Sequence, residues 1–169
     1  MRVREKTGAR LEAWLEYQGE GRGRAIIAGP AGDYLLQNLR LAAAHGVGSV
    51  RVNLYNDLDG HGVLEPRESM KLAVEQIGVV RAALPDVEIC FDVHTRLDTT
   101  HVIEMCRDLE EFKPFFIEDP IRSENPASYR KIADNINLPI AAGEQWVSKW
   151  PFREVIENET IDYARIDLC

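Results

Sequence analysis

Three acidic residues recur at an even spacing in this sequence. Asp92 lies in CFDVHT, Glu118 in FFIEDP and Glu144 in AAGEQW, and each step along the chain is 26 residues (92 to 118, 118 to 144). Each acid follows a short run of β-branched or aromatic residues and is therefore predicted at the end of a strand. Three carboxylates at one edge of a sheet repel one another unless a cation lies between them, and ligation by oxygen alone favours Mg²⁺. The spacing predicts a Mg²⁺ site, although any one of these acids could instead be a helix N-cap or a surface residue.

Other polar residues are predicted near the same edge. His94 follows Asp92 by two residues, so on a continuing strand it shares the face of Asp92. Imidazole can protonate a departing hydroxyl near neutral pH, which suggests a general acid; the alternative is a structural histidine. In SVRVNLYND, Arg51, Asn53 and Tyr55 share one face. Arg51 could hold a carboxylate in bidentate fashion and Asn53 could hydrogen-bond a hydroxyl, whereas Tyr55 is interpreted as packing.

Two further acids have different predicted roles. Asp167 closes the predicted sixth strand in YARIDLC, where a carboxylate could orient a histidine base on a following strand. Asp119 follows Glu118 directly, so alternation predicts that it points to the opposite face, where it is interpreted as a helix cap or a loop anchor. The remaining histidines fall on predicted helices or loops and are interpreted as surface residues: His45, His61 and His101.

The segments between these residues alternate between strand and helix patterns. The predicted strands are Arg10–Tyr17, Ser49–Leu54, Glu88–His94, Phe115–Glu118, Pro139–Gly143 and Tyr163–Asp167. The predicted helices are Gly32–Ala44, Pro66–Ala83, Thr99–Glu111, Pro126–Asn135 and Pro151–Asn158. This rhythm predicts an α/β fold, a partial (β/α)8 TIM barrel with strands one to six and the intervening helices. We expect a single domain of residues 1–169 in which the last barrel units are absent.

Composition excludes several classes of protein. The 169 residues carry a formal net charge of −8 and 45% are hydrophobic, which is typical of a globular protein and disfavours a nucleic-acid partner. No apolar stretch approaches the roughly 20 residues that span a bilayer, and the first residues lack the apolar core of a signal peptide. We expect no membrane partner and a cytoplasmic location. Three widely spaced cysteines predict no disulfide framework.

The sequence resembles the mandelate racemase and muconate lactonizing enzyme branch of the enolase superfamily. It is similar to the acid-sugar dehydratases that act on galactonate or mannonate, through FDVHTR, FFIEDPIRSEN, PIAAGEQW and IDYARIDLC. The resemblance implies that Asp92, Glu118 and Glu144 bind Mg²⁺, which holds the carboxylate of a small sugar acid. A base would then remove the α-proton, the metal would stabilise the enediolate, and His94 would help the β-hydroxyl to leave as water.

The resemblance leaves alternatives open. The racemase pattern has Lys-x-Lys where this chain has Arg51-Val52-Asn53, which disfavours racemisation or epimerisation without excluding it. A galactonate-like arrangement implies that Asp167 orients a base histidine on a seventh strand, and the family's N-terminal capping domain has no counterpart in these residues. A non-catalytic truncated barrel is therefore the third hypothesis, and we expect this chain alone to be inactive. Open sheet edges favour association, so a homo-oligomer is expected.

Overall fold

The structure is a computed structural model that describes residues 14–18, 22–27, 44, 48–54 and 64–167, with backbone alone for the first two ranges. The chain divides into two compact units, residues 1–90 and residues 91–169. The predicted helix Gly32–Ala44 lies outside the described residues except for Ala44, which is helical. Tyr55, His45 and His61 also lie outside them.

The first described segments of the first unit form a strand pair that the sequence did not predict. Strand β1 (Trp14–Gln18) pairs antiparallel with β2 (Arg22–Ile27), and β2 then pairs parallel with β3 (Ser49–Asn53). The prediction of one strand over Arg10–Tyr17 was therefore incomplete. The run RGRAII lacks the alternation of polar and apolar residues that signals a half-buried strand, which is why the sequence pattern missed β2.

Helix α1 (Pro66–Ala83) completes the description of the first unit and has both predicted ends. Pro66 fits the first helical position because its missing N–H would have no partner there, and the Glu65 carboxylate accepts the Arg67 N–H at 3.4 Å. The buried face repeats at helical spacing through Met70, Ala73, Ile77 and Val80. Strand β4 (Glu88–Asp92) starts in this unit, where the Glu88 N–H donates to the Gly48 carbonyl at 3.1 Å.

The second unit is built on short parallel strands whose carboxyl ends lie together. After β4 come β5 (Phe116–Glu118), β6 (Ile140–Ala142) and β7 (Tyr163–Ala164). β6 pairs parallel with both β5 and β7. The Val93 N–H donates to the Glu118 carbonyl at 3.0 Å. This parallel arrangement confirms the predicted α/β class, although each of these strands is shorter than predicted.

Three helices and two 3-10 turns accompany these strands in the part of the chain that the structure describes. Helix α2 (Thr99–Leu109) is capped by Asp98, whose Oδ1 accepts the N–H groups of Thr100 and His101 at 3.0 Å each, and a 3-10 turn, Glu110–Phe112, follows it. A 3-10 turn, Pro126–Ser128, leads into α3 (Tyr129–Ala133), and α4 is Lys149–Glu157. No described helix is both long and apolar enough to cross a membrane.

The core of the second unit comes from alternate strand residues and one face of each helix. Phe91, Val93 and Ile117 are fully buried, as are Cys106 and Tyr129 from the helices. Burying one large apolar side chain contributes about 1.5–3 kcal/mol, so this core holds the strand ends in place. Burial raises the pKa of the Cys106 thiol to about 12, which makes it a packing residue and not a nucleophile.

Candidate metal and acid–base site

Three carboxylates converge where β5 and β6 end. Oxygen atoms of Glu118, Asp119 and Glu144 all lie within 4.8 Å of one another, and we call these three residues the acid cluster. Glu118 and Asp119 are 2% exposed, whereas Glu144 is partly exposed. The predicted trio was Asp92, Glu118 and Glu144. The structure brings Glu118 and Glu144 together as expected, with Asp119 as the third converging carboxylate, and the ligand role of Asp92 stays a prediction.

Asp119 reaches the acid cluster because the backbone leaves the strand conformation there. Its φ of 40° lies in the left-handed region, so strand alternation no longer sets the direction of its side chain. The prediction that Asp119 points to the opposite face from Glu118 was therefore wrong. Its anchoring role is confirmed, since Asp119 Oδ1 accepts the Gly143 N–H at 2.9 Å.

The other carboxylate oxygen of Asp119, Oδ2, lies where a positive charge would be favourable. Among the described residues, Asp119 Oδ2 is buried and has no hydrogen-bond partner. Burial raises the pKa of Asp119 to about 6; the Gly143 N–H opposes the shift, and the nearby Glu118, Glu144 and Asp92 carboxylates add to it. An unpartnered oxygen among like charges is a place where a cation would be stabilised.

Asp92 and His94 occupy a tight turn directly after β4. The strand ends at Asp92, and His94 and Thr95 have φ values of 55° and 59°, so the predicted continuation of the strand to His94 was wrong. Asp92 Oδ1 accepts the backbone N–H of His94 at 2.9 Å and thereby fixes this turn. His94 Nε2 lies 3.8 Å from Glu144 Oε1, and the side chain is 50% exposed. The turn thus presents a solvent-accessible imidazole beside the acid cluster.

Arg165 is a site residue that the sequence reasoning missed. Its Nε donates to Glu118 Oε1 at 2.5 Å, and its Nη2 lies 3.6 Å from Glu144 Oε2. The hydrogen bond to Glu118 raises the pKa of Arg165 above its usual value, so the guanidinium is a permanent cation. The signal was present in YARID, where Arg165 stands at the strand end two residues before Asp167. Only acids were considered as candidates at this strand end, so Arg165 was not predicted.

The loops that carry these residues are joined by side-chain hydrogen bonds. Ser123, after β5, donates through Oγ to Gln145 Oε1 at 2.7 Å, and Gln145 Nε2 donates to Thr95 Oγ1 at 3.4 Å. The Trp146 indole N–H donates to the Ser123 carbonyl at 3.0 Å. Three loops from three successive strands therefore support one another around the acid cluster.

Gly143 sets the backbone immediately before Glu144. Its φ is +129°, which L side chains rarely adopt. A Cβ at this position would lie 2.4 Å from Cε1 of Phe152 and 2.8 Å from the Arg165 carbonyl oxygen. Glycine therefore suits this position, where the chain passes between Phe152 of α4 and the Arg165 carbonyl and directs its N–H at Asp119.

The structure also describes three other predicted site residues, Arg51, Asn53 and Asp167. Arg51 and Asn53 lie on β3 in the first unit, where they alternate with the buried Val50 and Val52, so the predicted shared face is confirmed. Asp167 is exposed and follows the last residue of β7 by three positions. The proposed roles of Arg51, Asn53 and Asp167 stay predictions.

The donor set suits a hard divalent cation. Every side-chain donor in the acid cluster is a carboxylate oxygen, the ligand type that Mg²⁺ prefers. Among the described residues, the buried Asp119 Oδ2 has no hydrogen-bond partner, and the close approach of the three carboxylates concentrates negative charge that a cation would stabilise. The residues present therefore fit a bound metal ion.

Comparisons with known proteins place this chain in a family. Residues 35–169 match the family described as enolase C-terminal domain-like. D-galactonate dehydratase from Ralstonia nicotianae is 34% identical over 114 residues, which are 67% of this chain and 30% of that protein. D-mannonate dehydratase from Caulobacter sp. strain K31 is 32% identical over 130 residues, 74% of this chain and 32% of the relative.

Solved structures show the same relationship. The crystal structure of a member of the enolase superfamily from Salmonella Typhimurium superimposes with a TM-score of 0.71 at 29% sequence identity. The match covers 80% of this chain and 36% of that protein. The chain thus spans about a third of the length of the relatives it matches.

Proposed function

We propose that this chain, which belongs to the enolase C-terminal domain-like family, carries the metal-binding and acid-catalytic part of a Mg²⁺-dependent sugar-acid dehydratase. The observation that carries the proposal is the convergence of Glu118, Asp119 and Glu144 beside the exposed imidazole of His94. The relatives named for dehydration of galactonate and mannonate support the reaction class and favour elimination over racemisation.

Glu118 and Glu144 are the proposed metal ligands, with Asp92 as the third. They end or follow three successive parallel strands, and the loops that carry them are tied together by the Gln145 side chain and the Asp119–Gly143 hydrogen bond. When bound, Mg²⁺ would hold the substrate carboxylate and stabilise the negative charge that develops there as the α-proton leaves. Preorganised ligands limit the structural rearrangement that metal binding requires.

His94 is the proposed general acid for departure of the β-hydroxyl. Transfer of the Nε2 proton leaves a neutral ring when His94 starts as imidazolium, which carries a proton on each ring nitrogen. Nε2 is the ring nitrogen that faces Glu144. The Asp92 carboxylate holds the turn so that this proton faces the acid cluster, where the substrate would lie.

The remaining roles follow the resemblance. Arg51 is proposed to hold a carboxylate and Asn53 a hydroxyl of the sugar acid, and Asp167 to orient the histidine that removes the α-proton. The cytoplasmic location and the homo-oligomer remain predictions from the sequence.

Mg²⁺ binding tests the site directly. Calorimetric titration of the full chain should show weaker binding in Glu118→Gln and Glu144→Gln by about 10-fold or more, since even residues that only support a metal ligand typically contribute 10–100-fold. Asp108→Asn is the matched control, because Asp108 is an exposed acid on α2 outside the acid cluster. Equal Mg²⁺ affinity in wild type, Glu118→Gln, Glu144→Gln and Asp108→Asn would refute the metal site. Asp92→Asn and Asp119→Asn then decide which of the two carboxylates is the third ligand.

Product analysis tests the reaction. In an intact barrel enzyme that carries this sequence, D-galactonate or D-mannonate should yield a 2-keto-3-deoxy acid. An isomer of the starting acid as the product would instead support the racemase or epimerase hypothesis.

A further inference from the structure

The guanidinium of Arg165 spans the two carboxylates that are the best candidates for holding the metal. Nε is 2.5 Å from Glu118 Oε1, and Nη2 is 3.6 Å from Glu144 Oε2. Glu118 is almost fully buried, while the Arg165 side chain is 38% exposed. A buried carboxylate is thus paired with a cation whose side chain is partly exposed to solvent.

This pairing has opposite effects on the metal-free and the metal-bound protein. In the metal-free protein the guanidinium screens the repulsion between Glu118 and Glu144 and keeps them near each other. A divalent cation held by the same two carboxylates would lie close to the guanidinium, and the two positive charges would repel in a partly buried environment. The Glu118 oxygen bonded to Arg165 would also be less available to a metal.

We propose that Arg165 is a positioning residue that serves as an exchangeable counter-ion, holding Glu118 and Glu144 together until Mg²⁺ displaces it from at least one of them. The inference rests on the proposed metal site. It assigns to Arg165 two effects that a purely structural ion pair would not combine: it stabilises the metal-free protein and it weakens Mg²⁺ binding.

Two measurements on the full chain test these effects. Arg165→Gln should lower the midpoint of thermal unfolding in EDTA and should also tighten Mg²⁺ binding in a calorimetric titration, by about 10-fold. The control is Arg153→Gln on α4, which removes a guanidinium that pairs with Glu157 at 2.7 Å on an exposed helix surface. This control should leave Mg²⁺ affinity unchanged, because a surface pair four residues apart on a helix contributes little.

A third measurement needs no substitution. In the wild-type protein, the NMR signal of the Arg165 Nε–H group should move towards the position of a solvent-exposed guanidinium as Mg²⁺ is added. A signal that stays unchanged up to saturation with Mg²⁺ would show that the Glu118 pair persists, and would overturn the exchange even if Arg165→Gln failed to fold.

The outcomes separate this inference from the proposed function. If wild type binds Mg²⁺ and Arg165→Gln binds it equally or more weakly, the counter-ion role is wrong and the metal site stands. If both proteins bind Mg²⁺ and Arg165→Gln binds it more tightly, both are supported. If neither protein binds Mg²⁺, the metal site itself is refuted and this inference falls with it.

Discussion

Replacing Gly143 by alanine tests how the strand end positions the site. The new Cβ would lie 2.4 and 2.5 Å from Cε1 and Cζ of Phe152 and 2.8 Å from the Arg165 carbonyl oxygen, all shorter than real Cβ contacts. The Phe152 ring is the far end of a flexible side chain and can move. The Arg165 carbonyl cannot move easily, because the Arg165 N–H is bonded to the Ala142 carbonyl at 2.9 Å.

Two physical effects add up in this substitution. A non-glycine residue forced into a sparsely populated backbone conformation costs about 1–3 kcal/mol, and overpacking costs about 1–3 kcal/mol more. We expect Gly143→Ala to lower the free energy of unfolding by about 4 kcal/mol. For a chain of this size, that corresponds to roughly 8–16 °C in the melting temperature.

Urea unfolding followed by circular dichroism measures the loss, and Gly48→Ala is the matched control. A Cβ on Gly48 would have no heavy atom within 4 Å, so its free energy of unfolding should change by no more than about 1 kcal/mol. Mg²⁺ affinity should also fall in Gly143→Ala, because the Gly143 N–H aligns Asp119 and the next residue is Glu144.

The steric reasoning fails if Gly143→Ala unfolds within about 1 kcal/mol of wild type at an unchanged denaturant slope. Adding Phe152→Leu separates the two causes, since it removes the contact with the ring but leaves the backbone strain and the contact with Arg165. We expect partial recovery of stability in the double variant. Complete recovery would assign the whole effect to the Phe152 ring.

Two further predictions concern protonation and proton transfer. In EDTA, the raised pKa of Asp119, about 6 against an ordinary 3.8, gives stability that is fully present below about pH 3.8 and is lost as pH rises through 6. Between about pH 5 and pH 7.5, the unfolding free energy of wild type should therefore fall by roughly 1–1.5 kcal/mol more than that of Asp119→Asn. The same pH dependence of unfolding free energy in both proteins would contradict the raised pKa. In an intact barrel enzyme with this sequence, His94→Asn should abolish dehydration but leave exchange of the substrate α-proton with deuterium, because His94 is proposed to act only on the departing hydroxyl. Loss of both, with Mg²⁺ binding preserved, would make His94 the base.

Local signals in the sequence were enough for much of this fold. Pro66 at the first helical position and apolar residues at helical spacing predicted both ends of Pro66–Ala83. These signals depend only on residues that are close to each other in the sequence. The 26-residue spacing of Glu118 and Glu144 placed them together, because successive parallel strands bring equivalent positions side by side. The same reasoning placed Arg51 and Asn53 on one face of β3.

Tertiary structure decided which groups complete the site. Asp119 joins the acid cluster through a left-handed backbone conformation, and His94 approaches Glu144 through a turn, so strand alternation could not give either position. Arg165 and Glu118 are 47 residues apart and meet only because the pairing of β6 with its two neighbours brings their strand ends together. Patterns in the sequence report local conformation, whereas the balance of charge around a buried carboxylate depends on which distant side chains the packed strands bring within a few ångströms.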